Sequence, residues 1–481
     1  MHKLFPASLA LALAAPACAL AAPPSPATSS PSTSSSGAAS DLAALRQEID
    51  ALRTAYEARL QAMEQRLKAA EAAAAATPAA APAVAGNATT APVANVPPPA
   101  VSAAGGGANA FNPAISLILS GLYTRTSKDP ENFAITGFQL PGDAEVGPGT
   151  RGLSLAETEL GLSASIDPWW RGAAAIALHP DNEVSVEEAF VQTTALGNGF
   201  SLKAGRFFSG VGYLNPQHAH TWDFVDNPLA YQAMLGTQFG DDGLQLNWLA
   251  PTDQYLELGA EVGRGRSFPG TDTSRNGAGM VALTAHTGGD IGASHSWRAG
   301  LSLLHAKAAD QELDAIDAVG NAVTNAFSGK TRVWIADAVW KWAPNGNATR
   351  TNFKLQGEYL RSTRDGDLVY DVGNTDSSGS FRVVQSGWYL QGIWQFMPGW
   401  RVGLRTERLD AGSPRFDGSA LAFGDSTFHP HKNSLMLDYN PSEFSRVRLQ
   451  FAQDHSRDGV TDNQFFVQYQ MSLGAHGAHS Y

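Results

Sequence analysis

Two histidine pairs, His218-Ala219-His220 and His429-Pro430-His431, are the residues here whose type and spacing most readily do chemistry. In an extended segment side chains two apart point the same way, so each pair can offer two imidazoles to one metal ion such as zinc. Asp223 and Asp226 follow the first pair closely enough to complete its shell. The plainer alternative is a set of solvated loop histidines. No spacing of serine, histidine and acid singles out a nucleophile with its base, and Asp454-His455 reads as a strand end. The expectation is a protein that is not an enzyme and needs no cofactor, with zinc as the one candidate ligand.

The first pair lies in the long connection Ser209 to Asp241, which also carries Trp222 and the acids Asp223, Asp226, Asp241 and Asp242. Basic residues expected to face the same interior space are Arg401 and Arg405 on a thirteenth strand and Arg446 and Arg448 on a fifteenth. An acidic loop opposite a basic wall sets a transverse field that orients dipolar solutes. The alternative is that these arginines pair with neighbours such as Glu407 and stiffen the wall.

These residues are positioned by short segments with a period of two. In the last one Phe465, Val467, Tyr469, Met471 and Leu473 alternate with Gln464, Gln468, Gln470 and Ser472. Leu256, Leu258, Ala260 and Val262 alternate in the same way with Glu257, Gly259, Glu261 and Gly263, and Leu160, Leu162, Ala164 and Ile166 with Glu159, Gly161, Ser163 and Ser165. One set faces lipid and the other water, because carboxylates are costly against hydrocarbon. No run downstream of the N-terminal leader approaches the roughly 20 apolar residues of a spanning helix, so entry into a membrane requires a closed barrel. About sixteen antiparallel strands fit residues 111–481, joined alternately by tight turns and long polar links. The long links expected are Arg125 to Gly152, Ser209 to Asp241, Gly265 to Asn276, Lys307 to Lys330, Ser362 to Phe381 and Asp410 to Lys432. Trp169, Trp170, Trp248, Trp297, Trp340, Trp342, Trp394 and Trp400 cluster near the tight turns, as rings at a membrane interface do.

Residues 1–21 read as a signal peptide, with Ala19 and Ala21 suited to cleavage; the single cysteine, Cys18, lies inside it, where lipid attachment is the competing reading. Residues 22–40 are Ser/Thr/Pro-rich and expected to be disordered, and 77–110 form an Ala/Pro/Gly linker. Between them, over 41–76, Leu42, Leu45, Ile49, Leu52, Tyr56, Leu60, Met63 and Leu67 mark a helix with a narrow apolar stripe. Such a stripe suits a periplasmic coiled coil, which a homotrimer would match and which could reach the cell wall. The net charge of −12 argues against nucleic acid as a partner.

A strand ending in Gly205-Arg206-Phe207 and followed by a long loop resembles the porin superfamily that includes the phosphate-selective and carbohydrate-type porins. The resemblance covers the chain from Phe111 onward, and the helical extension before the barrel is similar to that of sucrose-type porins. It implies a bacterial outer-membrane channel for passive diffusion of small hydrophilic solutes, including ions. Terminal Tyr481 resembles the signal that the barrel-assembly machinery reads. The third long loop, folded inward, is the expected constriction, with His218, His220, Trp222, Asp223 and Asp226 on it. Phosphate-selective pores line their constriction with lysines and arginines, whereas this loop is acidic, so phosphate selectivity is not expected. The competing functions are an envelope tether built on the coiled coil and a gated receptor linked to metal uptake. The second would need an N-terminal plug that residues 1–109 are unsuited to fold.

Overall fold

Period-two alternation over most of residues 113–474 produces sixteen barrel strands in the computed structural model, which describes that span except 143–144, 274–275 and 425–426. The expected signal peptide, coiled coil and linker, and His476, His479 and Tyr481, lie outside the described residues. The first eight strands are β1 (Ala114–Thr126), β2 (Thr158–Ser165), β3 (Trp170–Leu178), β4 (Val184–Thr193), β5 (Phe200–Phe208), β6 (Gly240–Leu249), β7 (Tyr255–Gly263) and β8 (Met280–Ile291). The second eight are β9 (His295–Ile316), β10 (Ala322–Trp342), β11 (Asn352–Tyr370), β12 (Ser377–Met397), β13 (Trp400–Asp410), β14 (His431–Ser442), β15 (Ser445–His455) and β16 (Asp462–Gly474). Three short strands, Leu140–Pro141, Gly152–Leu155 and Arg415–Phe416, add to β9, β1 and β12.

Each strand pairs antiparallel with the next, and β16 returns to β1, where Leu119 faces Met471 and Tyr123 faces Val467. Closure removes the free edges that an open sheet would present and lets the backbone polar groups pair within the sheet. The two faces sort as a membrane barrel requires. Leu435, Leu449, Phe451, Tyr469, Met471 and Leu473 are exposed on the outside, while Ser434, Gln450, Gln468 and Gln470 are buried inside.

Two of the expected long loops are mostly ladder. β9 and β10 stay paired to Ile316 and Ala322, and β11 and β12 to Tyr370 and Ser377. These segments carry polar residues on one face and apolar ones on the other, and the apolar face is turned inward. Leu313, Phe327, Leu368, Phe381 and Val383 pack there with Phe268, so the alternation continues beyond the apolar band. Residues 127–157, 209–239, 264–279 and 411–430 remain as the long connections on that end of the barrel.

Candidate functional site

The connection 209–239 hydrogen-bonds to inward-facing side chains from β7 to β15, and its entry is set by Gly205-Arg206-Phe207. Gly205 has φ 130°, and a Cβ there would lie 2.3 Å from the Ala189 carbonyl oxygen, so only glycine lets β5 approach β4 this closely. Arg206 spans to β6, with Nε 2.7 Å from Asp242 Oδ1 and Nη2 3.2 Å from Oδ2. Phe207 is buried.

Three strand carboxylates then hold the loop backbone. Glu261 on β7 accepts from Ser209 Oγ at 2.6 Å and Gly210 N at 2.8 Å. Glu358 on β11 accepts from Tyr213 N and Leu214 N, both at 3.0 Å, and from the hydroxyls of Tyr231 at 2.8 Å and Tyr389 at 2.6 Å. Glu407 on β13 accepts from Leu229 N at 2.5 Å, at the start of the short helix α1 (Leu229–Leu235). Gly236, left-handed at φ 62°, ends the helix. All seven helical side chains are buried. All but Gln232 pack, with Val211, Leu214 and Phe239, against Ala282, Leu304, Val333, Ile335 and Leu360, an apolar patch on the inner wall.

The acids of the loop close onto the basic wall. Asp223 pairs with Lys354 and with Arg401 at 3.2 Å, and accepts from Gln391 at 3.1 Å. Asp226 pairs with Arg405 at 2.8 Å and Lys432 at 2.5 Å, and accepts from Gln450 at 2.7 Å. Burial works against both charged carboxylates, but Lys354 and Arg401 for Asp223, and Arg405 and Lys432 for Asp226, outweigh it and hold both below the ordinary carboxylate range. Arg401 also pairs with Asp438, Arg405 with Glu407 at 2.9 Å, and Arg448 with Asp438 at 2.8 Å. Arg446 donates to the His220 carbonyl at 2.6 Å and Arg448 to that of Trp222 at 2.7 Å, while Trp222 Nε1 donates within the loop to Gln217 O.

The expected transverse field between an acidic loop and a basic wall is thereby corrected: Asp223 and Asp226 meet the wall bases in contact, Arg401, Arg405 and Arg448 pair with acids much as the alternative reading supposed, and Arg446 bonds to carbonyl oxygens. Asp241 and Asp242 also stand apart from the other loop acids. Asp241 accepts from the backbone of Gly265 and Arg266, and Asp242 is spent on Arg206.

The first histidine pair is brought together, but not with the aspartates. His218 Nδ1 lies 3.0 Å and His220 Nδ1 3.2 Å from the same oxygen, Glu159 Oε2, and the rings stack with centroids 5.6 Å apart. Glu157 Oε1 is 3.7 Å from His220 Nδ1. Beyond them Glu187 Oε2 is 3.1 Å from His218 Nδ1 and Glu188 Oε2 3.1 Å from His218 Nε2. Burial lowers the tendency of both rings to charge, yet the surrounding carboxylates hold His218 well above its ordinary value and raise His220 as well. Asp223 and Asp226 point to the wall, so the expected completion of a metal shell by either one is replaced by Glu157 and Glu159. The signal for these two was present as two acids in one inward register at the start of β2, some sixty residues upstream.

The second pair is not assembled as a chelate. His431 Nδ1 is 3.0 Å from the His429 carbonyl oxygen, and its ring stacks on His455 at 4.7 Å.

A cavity of about 1080 Å³ borders the loop. Its lining runs from the tight turns, at Ser294, Gly399 and Phe444, to Tyr213 and His218 on the loop. Both signs of charge line it, among them Arg171, Glu188, Lys203, Glu257, Arg298 and Lys341.

No family model matches the chain. An uncharacterized protein of Aquifex aeolicus (strain VF5) is 32% identical to it over 397 residues, covering 77% of this chain and 80% of that protein. The chain belongs to the family of that protein. Among solved structures, the trimer form of OmpT, an outer membrane protein of Vibrio cholerae, is similar at TM-score 0.44 and 10% identity, covering 75% of this chain and 99% of that one. The anion-selective porin from Comamonas acidovorans is similar at TM-score 0.44 and 11% identity, with 75% and 99% covered. The outer membrane channel DcaP of Acinetobacter baumannii is similar at TM-score 0.43 and 12% identity, with 75% and 97% covered. The barrel assignment rests on this chain's own strand pairing.

Proposed function

We propose that this protein is an outer-membrane channel for passive diffusion of small hydrophilic solutes, with the 209–239 loop as its constriction. The observation that carries the reading is the cavity of about 1080 Å³ along the charged inner face of a closed barrel, bordered by Tyr213, His218 and Asp223. A sheet closed on itself with an apolar exterior is suited to lipid, and a wet, charged interior is suited to hydrated solutes. The lining mixes signs, and the loop acids are neutralised by the bases they touch, so the pore should discriminate weakly between anions and cations. In this reading the long connections face the outside, the tight turns and the 41–76 helix face the periplasm, barrels assemble as trimers, and Tyr481 serves assembly.

Purified full-length protein added to planar bilayers under opposed salt gradients tests this. Stepwise conductance with a small reversal potential is expected. A folded barrel that gives no conductance steps would overturn the channel reading, and a reversal potential near that of an ideally selective pore would overturn the mixed-charge account.

A further inference from the structure

We propose that Glu157, Glu159, His218 and His220 form a site for one divalent first-row transition metal of the zinc class, open to the barrel lumen. Four potential ligand atoms from these residues lie within 4.8 Å of one another. Two are imidazole Nδ1 atoms aimed at a common carboxylate oxygen, at 3.0 and 3.2 Å, and the fourth, Glu157 Oε1, is 3.7 Å from His220 Nδ1. A tetrahedral zinc ion with bonds of roughly 2.1 Å separates its ligands by about 3.4 Å, so small side-chain shifts suffice for all four to bind it.

The surroundings fit the same ion. Glu188 Oε2 lies 3.1 Å from His218 Nε2, the nitrogen opposite the ligating one. A carboxylate in that place fixes the tautomer that leaves Nδ1 free for metal and makes the ring a better ligand. Glu187 brings a further carboxylate to within 3.1 Å of His218, so four glutamates surround two histidines. A dication held there would bring positive charge to that cluster beyond that of Lys203, which already faces Glu188. Mixed nitrogen and oxygen donors without sulfur suit zinc and its neighbours; calcium and magnesium prefer six or more oxygens, and monovalent copper prefers thiolate or thioether. Glu159, His218 and His220 all line the lumen cavity, which supplies a route of entry. The ligands come from the entry to β2 and from the loop, so the ion would tie the loop to a part of the wall that the Asp223 and Asp226 pairs do not reach. The proposal does not rest on conduction, because binding is read separately from it.

The test uses full-length protein in detergent, stripped with a chelator, titrated with zinc alone and assayed for bound metal by elemental analysis after gel filtration. About one zinc per chain is expected. His218→Gln and His220→Gln should each weaken binding at least as much as the roughly 10–100-fold typical of losing an outer-shell partner, and Glu188→Gln should fall within that range. His431→Gln should leave binding unchanged. Heat-modifiable migration establishes that each variant is folded. A folded wild-type barrel that retains no zinc would overturn the proposal, and so would zinc retained with equal affinity in folded His218→Gln and Glu188→Gln.

Discussion

Single buried carboxylates decide where the 209–239 loop lies. Glu261, Glu358 and Glu407 project from the wall to the loop backbone, and Asp223 and Asp226 project from the loop to wall bases. Removing one partner of a buried pair leaves an uncompensated charge and costs about 3–5 kcal/mol. Asp226→Asn leaves Arg405 and Lys432 facing a neutral amide, beside Glu407 and Asp454. Because the Asp223 and Asp226 carboxyls are depressed in the folded protein, their contribution is complete above the ordinary Asp value near 3.9. It is lost only as pH falls through the still lower folded values. Hydrogen exchange, corrected for intrinsic rates, should therefore show the 222–227 amides protected from neutral pH down to about pH 4 in the wild type, and already weakened at neutral pH in Asp226→Asn. Loss of wild-type protection between about pH 6 and 5 would contradict the latch. The acids themselves were legible in the sequence as a charged loop. Their partners were not, because Arg405 and Lys432 are about two hundred residues away and nothing in local spacing pairs them.

At the scale of elements, strands were legible wherever apolar and polar faces alternate, as in β7 and β16. They were obscured where both faces are apolar. On β10, Val333 and Ile335 face inward and Trp334 faces outward, so between the inward Thr331 and Asp337 no polar residue marks the lumen; the inward pair serves α1 instead. The helix itself escaped sequence reasoning because seven residues between Pro228 and Gly236 are too few for a periodic signal. The strand-end motif is more informative than its resemblance suggested. Gly205→Ala would force a left-handed residue and place a Cβ 2.3 Å from the Ala189 carbonyl, a strain of roughly 1–3 kcal/mol. A lower midpoint in the heat-modifiable shift of this variant is expected. Gly121→Ala on β1, where a Cβ meets open space and φ is not left-handed, should show little change. Equal midpoints for the two variants would remove the reason given for the glycine.

For the whole molecule, strand number, closure and four of the six expected long connections follow from the residue pattern, because lipid outside and water inside impose a period of two on nearly every segment. What fills the lumen does not follow from that pattern. It depends on ion pairs and packing between residues distant in sequence, as with Glu157 and Glu159 meeting His218 and His220. Whether the loop narrows a conducting barrel is decided by single-channel conductance of the full chain beside a variant with residues 215–238 replaced by a short Gly/Ser link. Discrete steps are expected for the wild type and several-fold larger steps for the variant; equal step sizes from two folded barrels would overturn the proposed constriction.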